Sequence, residues 1–106
     1  RVRQVQRLAN FIARQVPEHE AVIVAGDFND WGEKLDLPMT DCDLYRAIVP
    51  GDPPARFNTF PSRLPLFSMD RIYTRGFRCR STSVPRGNAW ARMSDHLPLV
   101  AELELV

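Results

Sequence analysis

Residues 21–30 read Ala21-Val22-Ile23-Val24-Ala25-Gly26-Asp27-Phe28-Asn29-Asp30. An unbroken apolar run is followed by a glycine, then by an acid and an amide. A short apolar run bounded by turn formers suits a strand buried on both faces. Gly26 is expected to turn the chain where that strand leaves the core. Asp27 and Asn29 then stand at the strand's carboxyl end, where open α/β sheets place ligands. In extended conformation, alternate residues point to one side. A carboxylate and a carboxamide so placed can hold a cation, a water and a phosphate oxygen together. The same pair equally suits an Asx-turn closing the strand.

Upstream, residues 2–16 carry Val5, Leu8, Ala9, Ile12 and Val16 at helical spacing, with Arg3, Arg7, Asn10 and Arg14 mostly elsewhere. Pro17 ends this helix, and Glu18-His19-Glu20 forms a short loop with a surface histidine. Helix, short loop and buried strand describe an α/β unit in which the helix covers one sheet face. Downstream, residues 31–38 read as irregular, with room for one helical turn, and Asp41 is placed to cap a short helix running to about Ile48. Pro50-Gly51-Asp52-Pro53-Pro54 is a loop. Short strands are expected at residues 56–60 and 68–75, with Gly76 as a turn or bulge. In the next strand Phe77, Cys79 and Ser81 alternate with Arg78 and Arg80, and residues 83–93 read as a loop. The last strand, 98–106, places Leu99, Ala101, Leu103 and Leu105 inward and Glu102 and Glu104 outward. Strands this close in sequence favour antiparallel pairing.

At 106 residues, 44% hydrophobic and 25% charged, the chain has the composition of one folded domain or part of one. It contains no run of ~18 apolar residues and no signal-peptide pattern, so no transmembrane segment is expected. Cys42 and Cys79 lack the CxxC spacing of a metal or redox pair and read as two buried thiols. Nothing indicates an oxidising compartment, and a cytoplasmic protein is expected. Net charge is only +1, yet eight arginines and one acid, Asp70, lie between Arg56 and Arg92. Arginine suits planar, bidentate contact with phosphate. This segment reads either as a basic patch facing a polyanion or as a solvated face with scattered ion pairs.

Two further polar clusters stand out: Met69-Asp70-Arg71-Ile72-Tyr73 and Ser94-Asp95-His96. An Asp among apolar neighbours is costly to bury unless paired. A histidine is a good partner, because a carboxylate fixes the imidazole tautomer and favours imidazolium. An Asp70–His96 pair would place an oriented donor at the sheet edge, where charge developing on a phosphodiester needs one.

Gly-Asp-Phe-Asn at 26–29, Met-Asp-Arg-Ile-Tyr at 69–73 and Ser-Asp-His-Leu-Pro-Leu at 94–99 resemble the endonuclease/exonuclease/phosphatase superfamily. That group includes pancreatic deoxyribonuclease, abasic-site endonucleases, inositol-polyphosphate phosphatases and neutral sphingomyelinases. Thr59-Phe60-Pro61 fits the same pattern. The resemblance implies an α/β fold, a mostly antiparallel sheet with a helix on one face. This corresponds to the C-terminal half of a four-layer α/β/β/α sandwich. It implies that Asp27 aligns and deprotonates an attacking water, and that Asn29 helps bind that water, the phosphate or a metal. Asp95 matches a carboxylate of the divalent-metal region, His96 the histidine that contacts the scissile phosphate, and Asp70 the acid that orients it. The implied cofactor is Mg²⁺ or Mn²⁺, in keeping with hard oxygen ligands completed by phosphate.

The superfamily's first half supplies an Asn and a Glu that is its principal metal ligand, and no segment of this chain fits either. These 106 residues are therefore expected to be inactive alone. Their uncovered sheet face is expected to pack on the N-terminal half or to self-associate. The implied activity of the intact protein is metal-dependent hydrolysis of a phosphodiester or phosphomonoester, with nucleic acid favoured. Arg63, in the loop after Thr59-Phe60-Pro61, is a candidate extra phosphate contact. The alternatives are a non-catalytic phosphate- or nucleic-acid-binding module and a phospholipid phosphodiesterase.

Overall fold

The computed structural model describes residues 2–28, 36–49, 51–52 and 57–106. The elements are α1 (Val2–Gln15), β1 (Val22–Asp27), α2 (Asp36–Thr40), β2 (Tyr45–Arg46), β3 (Asp70–Arg75), β4 (Phe77–Ser83), α3 (Asn88–Met93) and β5 (Val100–Leu105). They form two antiparallel sheets, one in the order β1-β3-β2 and one of β4 and β5. The fold is α/β with antiparallel sheets, as the sequence reading expects. Among the described residues, no helix is long and apolar enough to cross a membrane.

The apolar stripe of α1 sets the core. Ile12 packs with Met39 of α2, Leu44 and Tyr73 of β3, with Leu8, Val16, Val22, Val24, Phe28 and Cys42 around them. Tyr73 is fully buried, and the Phe28 ring meets it edge-on at 5.7 Å. Alternation along β1 turns Val22 and Val24 toward this cluster and leaves Ile23, on the other side, 52% exposed. The expectation of a strand buried on both faces is therefore corrected: one face of β1 is covered and the other is open. Gly26 does not turn the chain either. It lies within β1, outside the positive-φ glycines, and the strand runs on through Asp27.

The glycine that redirects the chain is Gly76. Its φ of 83° lies in the left-handed region, and a Cβ there would come within 3.2 Å of Ala21 Cα and Cβ. Both make a larger residue costly there. The chain leaves the first sheet at this point and enters the second. Beside it, Arg75 donates to the carbonyls of Pro17, Glu20 and Cys42. That guanidinium pins the α1–β1 loop and the turn before β2 to the end of β3.

Other local readings are revised. The short helix precedes Asp41, and the chain then turns through Asp43 at a φ of 59° into β2. Residues 88–93 form α3 instead of loop. In β4 a register shift between Cys79 and Ser81 changes which residues face inward. Thr82, not Ser81, is half-buried there and donates to the Ala47 carbonyl at 2.7 Å. In β5 Ala101 and Leu103 are half-buried, whereas Leu105 is exposed. At residues 57–60 the order is one short 3₁₀ segment and a bridge between Phe60 and Phe67; Arg56 lies outside the described residues. Cys42 and Cys79 are free thiols, half-buried where burial was expected.

Candidate active site

The β1–β3 register places Asp27 directly opposite Asp70 at one end of the sheet. Residues paired across antiparallel strands share a face, so both carboxylates lie on the side away from α1. The third member comes from the segment between α3 and β5. Two backbone bonds hold that segment: Leu97 N–H donates to the Thr59 carbonyl and Ser62 N–H to the Asp95 carbonyl, each at 2.8 Å. Ser94 Oγ accepts from the His96 backbone N–H, and the Phe60 ring lies against the imidazole at 4.9 Å between centroids. The imidazole is thereby fixed beside the two acids.

His96 Nδ1 lies 2.7 Å from Asp70 Oδ2, and His96 Nε2 lies 3.7 Å from Asp27 Oδ2. Thr59 Oγ1 donates to that same Asp70 oxygen at 2.6 Å. A carboxylate only accepts hydrogen bonds, so Nδ1 carries the proton and Nε2 is the nitrogen turned toward Asp27. The hydrogen bond to Asp70 raises the His96 pKa above its ordinary value. Partial burial opposes it, and the charges of Asp70, Asp27 and Asp95 add to the rise. The arrangement can offer a phosphate an oriented, readily protonated donor next to a half-exposed carboxylate.

Asp27, Asp70 and His96 are therefore brought together. Asp95 adjoins His96 in sequence, is exposed, and contributes to the field at His96. Asn29 lies outside the described residues. Arg63 is not part of this cluster; it lines a separate cavity between its own loop and α3. A larger cavity of about 480 Å³, at the far end of β3 around Arg75 and Gly76, contains none of the expected site residues.

Potential ligand atoms of Asp27, Asp70 and His96 lie within 4.8 Å of one another, a grouping that does not include Asp95. Mg²⁺ and Mn²⁺ prefer oxygen, and Mg²⁺ is commonly held by one or two carboxylates plus water and substrate phosphate. The exposed carboxylates of Asp27 and Asp95 fit that donor chemistry. His96 Nδ1 and Asp70 Oδ2 are occupied with each other.

Sequence reasoning gave no role to three features around this cluster. Thr59 is fully buried and braces Asp70. Arg71 is only 3% exposed, on the α1 side of β3, where its guanidinium reaches Asp36 Oδ1 and the Tyr73 hydroxyl, each at 3.3 Å. The Tyr73 hydroxyl donates to the same Asp36 oxygen at 2.6 Å. Burial, then the bond to Asp36, pushes the Tyr73 pKa up to about 12. The signal for this network was the run Asp-Arg-Ile-Tyr itself, whose alternation sends Arg71 and Tyr73 to one face and Asp70 to the other.

The chain is 37% identical over 105 residues to "Uncharacterized protein YbhP" of Escherichia coli (strain K12), covering 96% of this chain and 40% of that protein. It matches the protein of the same name from Shigella flexneri to the same extent. It is 31% identical over 109 residues to "UPF0294 protein VV2535" of Vibrio vulnificus (strain YJ016), covering 98% of this chain and 35% of that protein. The chain thus spans about two-fifths or less of the curated relatives it matches. No solved structure matches. Residues 1–96 match the family described as the Endonuclease/Exonuclease/phosphatase family. The match covers most of the chain, and the chain belongs to that family.

Proposed function

We propose that the whole protein containing this chain hydrolyses phosphoric ester bonds, with nucleic acid as the favoured substrate. The observation that carries this reading is the His96 imidazole set between two carboxylates, 2.7 Å from Asp70 and 3.7 Å from Asp27. Asp27 is the general base, aligning a water and taking its proton. His96 presents its Nε2 side to the phosphate as charge develops there. Asp70 and Thr59 are positioning residues that hold the imidazole tautomer and orientation. Asp27 and Asp95, with Asn29, would hold Mg²⁺ or Mn²⁺, which when bound supplies charge stabilisation at the phosphoryl oxygens.

The family resemblance implies a Glu as principal metal ligand that no segment of this chain fits, so the 106-residue chain by itself is expected to turn over little or no ester. The open face of the β1-β3-β2 sheet, with Ile23 half exposed, supports a covering partner in the whole protein and self-association of the isolated chain. The test uses the full-length protein with a duplex oligonucleotide and with a small phosphodiester. Hydrolysis that stops with a chelator and returns with Mg²⁺ or Mn²⁺ supports the reading. Absence of hydrolysis of every phosphoric ester tried, with either metal, refutes it.

A further inference from the structure

Asp27 and Asp70 stand at the end of the β1–β3 pairing. Strand ends fray most easily, and here two like charges face each other. The residue after Asp27 is Phe28. Its backbone N–H donates to the carbonyl of Met69, the residue before Asp70, at 2.7 Å. That bond ties the two chains together just beyond the acids. The Phe28 side chain packs on the α1 side of the sheet, where its ring meets Tyr73 edge-on at 5.7 Å. Tyr73 is fully buried and held at its far end: its hydroxyl donates to Asp36 Oδ1 at 2.6 Å and accepts from Arg71 at 3.3 Å. Arg71, the residue after Asp70, also reaches back to the Ser68 carbonyl at 3.4 Å. Backbone next to each carboxylate is thereby tied to one buried polar network behind the sheet.

Well-packed hydrophobic residues in place of a buried ion pair are often as stable or more so. What a fully bonded polar network adds is a single arrangement of its side chains. We propose that Phe28 is a positioning residue of the active site: it carries the fixed placement of Tyr73, Asp36 and Arg71 to the Asp27–Asp70 pair, and through Asp70 to His96. The inference rests on the hydrolase reading for its effect on turnover, and it concerns residues to which that reading gives no part. Phe28 acts from the face opposite the acids, so it does no chemistry itself. Leucine at this position keeps the backbone N–H and the apolar burial but loses the flat ring that packs on Tyr73. The two acids, which repel, are then freer to part, and the Asp70–His96 bond opens more often.

The test reads the full-length protein in two ways. One is the proton on His96 Nδ1, seen by NMR as a downfield resonance that His96→Gln lacks. The other is kcat against KM for a phosphodiester in Mg²⁺. Wild type is compared with Phe28→Leu, with Tyr73→Phe, and with Leu103→Ala, which loosens the β4–β5 sheet instead. Phe28→Leu is expected to lose the resonance to solvent exchange. Its kcat is expected to fall about 10-fold with KM near wild type, short of the ~10²-fold that a misplacement of about 1 Å costs. Tyr73→Phe removes only the hydroxyl held by Asp36; it shifts both readouts in the same direction and decides the question if Phe28→Leu does not fold. Leu103→Ala is expected to lower the denaturant midpoint and to change neither readout. The proposal is overturned by an unchanged resonance in Phe28→Leu, by an unchanged kcat where wild type turns over, by the same losses in Leu103→Ala, or by a wild-type protein without the resonance. A full-length protein that shows the resonance, loses it in Phe28→Leu and hydrolyses no phosphoric ester would refute the hydrolase reading and leave the positioning role standing.

Discussion

Asp27 and Asp70 occupy one cross-strand pair of β1 and β3, and the His96 imidazole reaches both carboxylates. Like charges directly opposite each other in a sheet repel. Once protonated, the imidazole between them offsets that repulsion, so the acids and the histidine act as one electrostatic unit.

Asp70→Asn is expected to lower the His96 pKa, because the hydrogen bond from Nδ1 to the carboxylate is the main cause of its rise. A folded-state pKa above the unfolded value gives stability that is fully present below the unfolded value and is lost as pH rises through the folded one. The variant should flatten that dependence. Proton-resonance titration of the imidazole, with denaturant unfolding at several pH values, reads both effects. An unaltered His96 titration in Asp70→Asn would contradict the pairing.

Tyr73 carries its own pH signature. Its pKa is raised from 10.0 to about 12, so the folded state holds the phenol proton more tightly than the unfolded chain. The associated stability is complete below pH 10.0 and declines as pH rises toward about 12. The chain has two tyrosines, so Tyr45→Phe leaves Tyr73 as the only phenol. In that variant, phenolate absorbance should appear near pH 12 together with loss of structure. Ordinary titration near pH 10 with the fold intact would show that the hydroxyl is neither buried nor held by Asp36 as described.

Gly76→Ala should destabilise the chain by about 1–2 kcal/mol from the left-handed backbone alone. The 3.2 Å approach of the new Cβ to Ala21 adds to that cost. Urea unfolding measures it, and an unchanged midpoint would mean that the β3–β4 junction relaxes without strain.

The Asp70–His96 pair was legible in the sequence because a carboxylate among apolar residues needs a partner, and the next polar cluster supplies one. α1 was legible because its apolar spacing is helical over the whole element. The outer face of β1 was misread, since an apolar run does not reveal whether both sides are covered; Ile23 is open. α3 was missed because Gly87 and Asn88 are loop formers and its Trp90 and Met93 are not buried, so no apolar stripe marks it. The bulge after Cys79 shifted the inward face to Thr82, and alternation from one end of a strand cannot register an inserted residue. Arg71 looked like part of a basic surface; its burial depends on Asp36, distant in sequence.

The most direct test of the proposed chemistry is kcat/KM of the full-length protein for a phosphodiester in Mg²⁺, compared between wild type and Asp27→Asn. With Asp27 as general base next to His96, a loss of about 10²–10⁴-fold is expected, with the fold unchanged by circular dichroism. Activity within a few-fold of wild type would contradict the assignment of Asp27 and the account of the site built on it.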